Sequence, residues 1–198
     1  MPMHWSLSDM ILDLAHNSIE AGADLVEVSV EERGALIRIE VRDNGKGMDR
    51  EQQQRALDPF YTEPGKHPGR KVGLGLPFLV QTVEQTGGRY ELASEPGTGT
   101  RLLVEIETTN VDVPPLGDLA GAATLLMCFD GDYELRLRRR RTARTGGGAG
   151  LGYEVTRSEL RDALGDLSLV SSRSLVGQYI TGCESEIDEI EILSMEEE

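Results

Sequence analysis

The sequence lacks several features that mark large classes of protein. Its longest nearly apolar run, residues 121–129, is far shorter than the roughly 20 residues that cross a bilayer, and no charged-then-apolar signal segment opens the chain. Only two cysteines are present, Cys128 and Cys183, and their wide separation fits neither a disulfide framework nor a metal cluster. We therefore expect a cytoplasmic protein with reduced thiols and no membrane partner.

Basic residues are scarce relative to acidic ones. The 198 residues include 20 Lys and Arg against 35 Asp and Glu, and the formal net charge is -15. Residues 184–198 hold eight acids and no base, which accounts for more than half of that charge. This balance disfavours a general positive field, so no nucleic acid is expected as a partner. The arginine run at 136–144 fits a solvated hairpin face first, pairing with the acidic tail second and nucleic-acid contact last.

The length suits one domain with a small appendage, and 38% hydrophobic residues can supply an ordinary core. Composition changes near Val113, Pro114 and Pro115, so the predicted division is 1–108 as the first domain, 109–183 as a small α+β appendage and 184–198 as an acidic tail. Within the appendage the pattern predicts a helix over 118–129 and a hairpin from 133–137 to 153–155. A second helix is predicted from a cap formed by Thr156 and Glu159.

The first segment opens with a predicted amphipathic helix. Ser6 and Asp9 resemble a capping box, and an apolar stripe including Ser18 follows at helical spacing. Asp13 and Asn17 lie one turn apart at the edge of that stripe. In a functional interpretation Asp13 orients or deprotonates a water, and Asn17 offers its oxygen to a hard cation such as Mg²⁺. The alternative is an amphipathic helix with polar edge residues.

A predicted hairpin comes next, with strands that alternate in hydrophobicity and turn at Gly34. Asp43 shares the parity of the buried residues on the second strand, so its carboxylate should point to the buried side and accept a hydrogen bond. Gly45 and Gly47 would let a flat ligand approach the backbone. A plain turn of Asp, Asn and Gly is the alternative interpretation.

Glycines also precede a third predicted helix. Gly73 and Gly75 stand where that helix begins, and its free N–H groups and dipole would favour phosphate. By itself a Gly-x-Gly pair also fits an ordinary loop. Two further strands are predicted at 89–94 and 100–106, joined by a turn that contains Gly97 and Gly99.

Taken together, these four motifs resemble the GHKL ATPase superfamily, which has the Bergerat fold. They are Asp13-x-x-x-Asn17, Asp43-x-Gly45-x-Gly47, Gly73-x-Gly75-Leu76 and Gly97-Thr98-Gly99-Thr100, in that order over about residues 6–107. The first motif looks most like that of mismatch-repair ATPases, whereas the third looks like that of sensor histidine kinases. The resemblance implies an α+β fold, a two-layer α/β sandwich whose mixed sheet carries helices on one face.

The resemblance also implies ATP and Mg²⁺ as ligands and assigns a role to each matching position. Asp13 takes the place of the acidic residue that activates water, which is commonly Glu in the family, and His16 is a weaker alternative base. Residues 49–72 correspond to a mobile lid, and a site that reads the adenine amine with an acid should prefer ATP to GTP. The other assignments are Asn17 for Mg²⁺, Asp43 for the adenine amine, Gly45, Gly47 and Met48 for the base pocket, Phe60 for the apolar anchor of the lid, Lys71, Gly73, Leu74, Gly75 and Leu76 for the phosphates, and Thr100 beside the adenine.

Two functions remain open at this stage. The chain could be a slow ATPase or a protein kinase that transfers phosphoryl to a protein partner. It could instead be a regulatory docking module, anti-sigma-like or part of a complex, that ATP opens and closes without turnover. Only twelve residues precede Asp13, so no histidine phosphoacceptor domain is expected within the chain. The layout of the segment beyond residue 110, with residues 115–118 and the later helix, resembles the C-terminal part of small stand-alone ATP-binding proteins of hydrogenase gene clusters. This resemblance suggests a hydrogenase-related or signalling partner.

Overall fold

A computed structural model describes residues 6–58, 75–142 and 150–195, with the backbone alone described for 189–195. The predicted site residues Phe60, Lys71, Gly73 and Leu74 lie outside the described residues, as does most of the proposed lid.

Within those ranges the chain forms six helices and one six-stranded sheet of order β3-β4-β2-β1-β5-β6. Neighbouring strands are antiparallel except β1 and β5, which run parallel. None of the helices described is both long and apolar enough to cross a membrane. The helices are α1 (Leu7–Glu20), α2 (Arg50–Ala56), α3 (Gly75–Thr86), α4 (Leu119–Met127), α5 (Arg157–Leu164) and α6 (Val170–Met195), and the strands are β1 (Leu25–Arg33), β2 (Leu36–Asp43), β3 (Arg89–Glu95), β4 (Gly99–Glu107), β5 (Glu134–Thr142) and β6 (Leu151–Thr156).

The two faces of the sheet differ because the strands alternate in hydrophobicity. In β1 the even-numbered valines are buried, and in β2 the odd-numbered residues Ile37, Ile39 and Val41 are buried beside them. Helices α1, α3 and α4 cover this face and share one apolar core with it. The opposite face carries acids and arginines. The predicted α+β fold, a mixed sheet with helices on one face, is confirmed.

Helix α1 begins with the predicted capping box, in which Ser6 and Asp9 exchange hydrogen bonds. Its first two backbone N–H groups find acceptors far along the chain. Leu7 N donates to the Pro115 carbonyl (3.0 Å), and Ser8 N donates to the Leu116 carbonyl (2.8 Å). Because a helix leaves its first N–H groups without partners inside the helix, the segment after β4 completes the start of α1.

The segment beyond residue 109 extends the sheet of the first segment. Strand β5 lies directly beside β1, with pairs from Leu25 and Glu134 to Arg33 and Thr142. The predicted helix is present as α4, the predicted hairpin as β5 and β6, and Thr156 caps α5 with Glu159. The division at 109 stays a prediction, although the two parts share a sheet and a core.

On the charged face of β5 the arginines form exposed ion pairs. Arg136 pairs with Glu27 of β1 (3.4 Å), and Arg138 pairs with Glu154 of β6 (2.8 Å). All four side chains are more than one-third exposed, so each pair contributes little to stability. For these two arginines the interpretation as a solvated hairpin face is correct.

The same interpretation is wrong for Arg139. Its parity in β5 matches Leu135 and Leu137, so it points to the helix side, where only 1% of its side chain is exposed. The guanidinium pairs with Glu32 of β1. It also pairs with Glu184 of α6, with 3.3 Å between Nε of Arg139 and Oε2 of Glu184. Pairing with the acidic tail, the second alternative, is therefore what the structure shows at this position.

The acidic end of α6 is fixed by more than one contact. Tyr153 of β6 donates a hydrogen bond to the other oxygen of Glu184 (2.6 Å), and Arg141 pairs with Asp188 (2.8 Å). Burial, followed by the hydrogen bond to Glu184, raises the pKa of Tyr153 well above its usual range. The phenol therefore remains a donor at any physiological pH, and α6 is held to β5 and β6 by charge and hydrogen bonding.

Candidate nucleotide-binding site

Asp43 ends β2 opposite Thr100 of β4, and its carboxylate is held by three donors. Oδ1 accepts the backbone N–H groups of Gly45 (2.9 Å) and Thr100 (3.2 Å). Oδ2 accepts the hydroxyl of Ser18 (2.6 Å), which lies on α1. A carboxylate oxygen has room for a second donor, so Oδ2 can accept one more hydrogen bond from a ligand.

Ser18 was not among the predicted site residues. It is buried on the apolar stripe of α1, and its hydroxyl also lies 3.3 Å from the Leu14 carbonyl. A hydroxyl at a buried helical position needs a partner, and Asp43 provides one. The signal was therefore present in the sequence, as a serine inside an otherwise apolar pattern.

The loop after Asp43 is pressed against the turn between β3 and β4. Gly47 has φ +62°, in the left-handed region. A Cβ built on Gly47 would collide with the carbonyl group of Glu95, because it would lie 2.7 Å from the carbonyl carbon. Gly97 N donates to the Lys46 carbonyl (2.8 Å), and Met48 N donates to the Ser94 hydroxyl (2.8 Å). Gly47 is thus required both by its backbone conformation and by the close approach of the two loops.

The Gly47→Ala substitution should destabilise the fold by about 2–5 kcal/mol, the sum of a left-handed backbone penalty and of overpacking. Gly97→Ala is the matched control, because Gly97 also has positive φ (+77°) but nothing lies within 4 Å of its added Cβ. The control should lose only about 1–2 kcal/mol. Urea unfolding of both variants measures the difference, and equal losses would show that the contact with Glu95 does not matter.

Thr100 and the start of the proposed lid meet at Ser94. The hydroxyls of Ser94 and Thr100 lie 2.9 Å apart. Gln53 of α2 donates to the Ser94 carbonyl (2.8 Å) and to the Met48 carbonyl (3.1 Å). Gln53, which was not predicted, therefore tethers α2 to β3 and to the loop that carries Met48.

A second cluster forms where α1 meets the start of α3. Oδ2 of Asp13 accepts the backbone N–H of Gly75 (2.8 Å) and lies 3.4 Å from the amide nitrogen of Asn17. Gly75 is buried, and Leu76 packs against the core. The structure thus brings Asp13, Asn17 and Gly75 together, with the first described turn of α3 facing a carboxylate and a carboxamide.

His16 lies on a different side of α1 from this cluster. Its ring packs edge-on against Phe129, with centroids 4.4 Å apart. The Phe129 carbonyl accepts a hydrogen bond from Arg157 (3.2 Å) and lies 3.2 Å from the hydroxyl of Tyr133, which is closer to the Leu126 carbonyl. The half-buried His16 therefore packs against the loop after α4, on another side of the helix from Asp13 and Gly75.

The two clusters are linked by α1, which carries Asp13 and Asn17 at one and Ser18 at the other. The first, around Asp43, offers an acceptor beside a glycine-rich loop. The second offers a carboxylate, an amide and the first described turn of α3, whose Gly75 N–H is already bonded to Asp13. Such groups suit a flat base with an amine at one end and anionic phosphate at the other.

The sequence of the chain is similar to parts of bacterial sensor kinases. Sensor histidine kinase ZraS of Escherichia coli O157:H7 is 31% identical over 113 residues, which cover 56% of this chain and 24% of that protein. Sensor protein kinase PmrB of Pseudomonas aeruginosa is 35% identical over 115 residues, which cover 55% and 24%. The chain thus spans about a quarter of the length of these relatives.

Among solved structures, the N-terminal domain of a DNA repair protein has a TM-score of 0.53 with 15% identity. The match covers 84% of this chain and 58% of that one. At this identity it shows the fold alone. Because it covers so much of the chain, the shared fold extends beyond the first segment.

Residues 5–110, more than half of the chain, match the family described as histidine kinase-, DNA gyrase B-, and HSP90-like ATPase. The matched region contains Asp13, Asn17, Asp43, Gly75 and Thr100. The chain therefore belongs to this family, and its matched region is an ATP-binding domain of the histidine kinase type.

Proposed function

We propose that the chain binds Mg-ATP under a lid formed by residues 49–72 and either hydrolyses it slowly or transfers its phosphoryl group to a protein partner. The observation that carries the proposal is the Asp43 carboxylate, which three donors hold in place while Oδ2 keeps room for one more. We assign Oδ2 to the exocyclic amine of adenine. The flanking Gly45, Gly47 and Met48 would shape the base pocket, with Thr100 beside the ring.

The proposed base site selects ATP over GTP. Adenine presents an amine where guanine presents a carbonyl oxygen, and an oxygen facing the Asp43 carboxylate would leave two acceptors opposed. A site built to accept a hydrogen bond rejects a ligand that cannot donate one. Equal affinity for GTP and ATP would contradict this assignment.

Asn17 fits a place in a magnesium site. Its amide nitrogen is turned to Asp13 (3.4 Å), so its carbonyl oxygen is available to a hard cation that accepts few protein ligands and several phosphate or water oxygens. When bound, Mg²⁺ would neutralise phosphate charge. Asp13 would serve as the base toward water or an acceptor hydroxyl. Phe60 would anchor the lid. The residues that would contact the phosphates are Lys71, Gly73, Leu74, Gly75 and Leu76.

A protein partner is proposed because both relatives described above are sensor kinases, whose names imply phosphoryl transfer in signalling. The partner would be a signalling or hydrogenase-related component in the cytoplasm. One observation favours the alternative, a regulatory docking module with negligible turnover: Oδ2 of Asp13 is already engaged by Gly75 and Asn17. An oxygen that already accepts the Gly75 N–H and faces the Asn17 amide holds the two helices together, which favours a structural use of this carboxylate.

Calorimetric titration with ATP and Mg²⁺, followed on the same sample by phosphate release and radiolabel transfer, tests the proposal. Binding with turnover or transfer supports the enzyme. Binding without either supports the docking module, and no binding to the chain would overturn the proposed function.

The Asp43→Asn variant should bind ATP roughly 10- to 100-fold more weakly, as expected for the loss of a hydrogen bond to a charged acceptor. The amide can keep its oxygen toward Gly45 and Thr100, which places its nitrogen where the adenine amine donates. Two donors then face each other. Calorimetry with Mg-ATP measures the loss.

The exposed Asp112 provides the control for that variant, because Asp112→Asn makes the same chemical change beyond the end of β4 that is opposite to the Asp43–Thr100 pair. Its affinity for ATP should equal that of the parent. Unchanged affinity in Asp43→Asn would remove Asp43 from the adenine site.

A further inference from the structure

The contact between Asp13 and Gly75 joins two elements that are distant in sequence. Gly75 is the first described residue of α3, and its backbone N–H donates to a side chain of α1. Oδ2 of Asp13 accepts that N–H at 2.8 Å, and the same oxygen faces the Asn17 amide. One carboxylate therefore connects the start of α3 to the face of α1 that carries Asn17.

The two helices approach closely at this point because residue 75 has no side chain. A Cβ built on Gly75 would lie 2.7 Å from Oδ2 of Asp13, 2.9 Å from Asp13 Cβ and 3.1 Å from the Met10 carbonyl oxygen. Two of these three atoms belong to backbone or to the rigid start of a side chain, so they cannot move aside without moving α1. The hydrogen bond and the glycine together set the distance between the two helices.

We propose that Asp13 is a positioning residue for ATP binding, separately from any role as a base. By accepting the Gly75 N–H it holds the N-terminus of α3 against α1. The phosphate-facing end of α3 then keeps a fixed place relative to Asn17. The proposal rests on the proposed function, since it concerns how the phosphates of ATP are received.

Two substitutions separate the acceptor from its charge. Asp13→Asn keeps an oxygen that can accept the Gly75 N–H, but it removes the negative charge. Asp13→Ala removes both and leaves the N–H without its partner. If the position of α3 depends on the hydrogen-bond acceptor, Asp13→Asn should retain the ATP affinity that Asp13→Ala loses. If charge were what mattered, Asn would resemble Ala, or would bind ATP more tightly because a repulsion with phosphate is gone.

The experiment is calorimetric titration of the parent and both variants with Mg-ATP and, in parallel, with adenosine, which has no phosphates. We expect Asp13→Ala to bind ATP about tenfold more weakly, Asp13→Asn to stay within about twofold of the parent, and adenosine affinity to be the same in all three. Asp9→Ala is the matched control. It removes a carboxylate from the capping box at the N-terminus of α1, where the bonds that Asp9 makes to the described residues are those to Ser6.

Several outcomes would overturn the positioning role. They are unchanged ATP affinity in Asp13→Ala, equal losses in the Asn and Ala variants, an equal loss of adenosine binding, or an equal loss in Asp9→Ala. Hydrogen exchange of the Gly75 amide, read by NMR without nucleotide, keeps this test independent of the proposed function. The amide should exchange faster in Asp13→Ala and remain protected in Asp13→Asn even if the parent bound no ATP, and identical exchange in both variants would contradict the proposal.

Discussion

Phosphate release by the Asp13→Asn variant is expected to fall by about 10²- to 10⁴-fold, the usual contribution of a general base. An amide cannot take the proton from water or from an acceptor hydroxyl at neutral pH. The variant should still bind ATP, because its side-chain oxygen can keep the hydrogen bond to Gly75 that the carboxylate makes at 2.8 Å. The measurement is phosphate release in a single turnover at saturating Mg-ATP.

A parental rate in Asp13→Asn would remove Asp13 from the chemical step. His16 is the alternative base on the same helix, although its ring packs against Phe129 in this structure. The matched variant His16→Asn should therefore release phosphate at the parental rate. Loss of turnover in His16→Asn together with an active Asp13→Asn would transfer the role of base to the histidine.

Replacing Arg139 by alanine is expected to lower the free energy of unfolding by about 3–5 kcal/mol, because removing one partner leaves buried charges uncompensated. Glu32 and Glu184 are less than one-fifth exposed, and both pair with this guanidinium. Without it Glu184 would be left with the hydrogen bond from Tyr153, and Glu32 with the longer contact to Arg141 (3.9 Å). The Val30 carbonyl, 3.5 Å from Nη1, would lose a donor as well. Urea unfolding measures the change, and helix α6 should show the earliest loss of hydrogen-exchange protection.

Arg138→Ala provides the control on the neighbouring residue of the same strand. Arg138 points to the opposite face, where 62% of its side chain is exposed and its pair with Glu154 is solvated, so the loss should stay below about 1 kcal/mol. Neutralising both acids in the Arg139→Met background, with Glu32→Gln and Glu184→Gln, should recover part of the stability. A loss for Arg139→Ala no larger than that for Arg138→Ala would show that the network contributes little.

Local patterns in the sequence were sufficient to predict most of the first segment. Alternation predicts the hairpin, and the parity of Asp43 with Ile39 and Val41 correctly predicts a carboxylate on the buried side. Capping residues likewise predict where α1 and α5 begin. These signals are readable because each depends on neighbours within a few residues.

Contacts between distant segments were beyond reach of the same reasoning. Nothing in the sequence around Glu134 indicates that β5 pairs with β1, and the hydrogen bond from Gly75 to Asp13 joins two motifs with a long segment between them. The burial of Arg139 is a different case, because its parity with Leu137 already placed it on the apolar side of the strand. The six arginines were interpreted as one charged run, whereas a strand sends alternate residues to opposite faces.

The parallel pairing of β1 and β5 has a consequence for the order of events during synthesis on the ribosome. Strands β2, β4 and β3 can pair in sequence by antiparallel contacts, but the partner on the other side of β1 emerges more than 100 residues after β1 itself. At about 5–20 residues per second this delay is roughly 5 to 20 s. Throughout that time the free side of β1, one of the two central strands of the finished sheet, is an open edge. The carbonyls of Pro115 and Leu116, which accept the first two amides of α1, emerge only shortly before β5. The nascent chain should therefore bind chaperones most strongly before β5 is made.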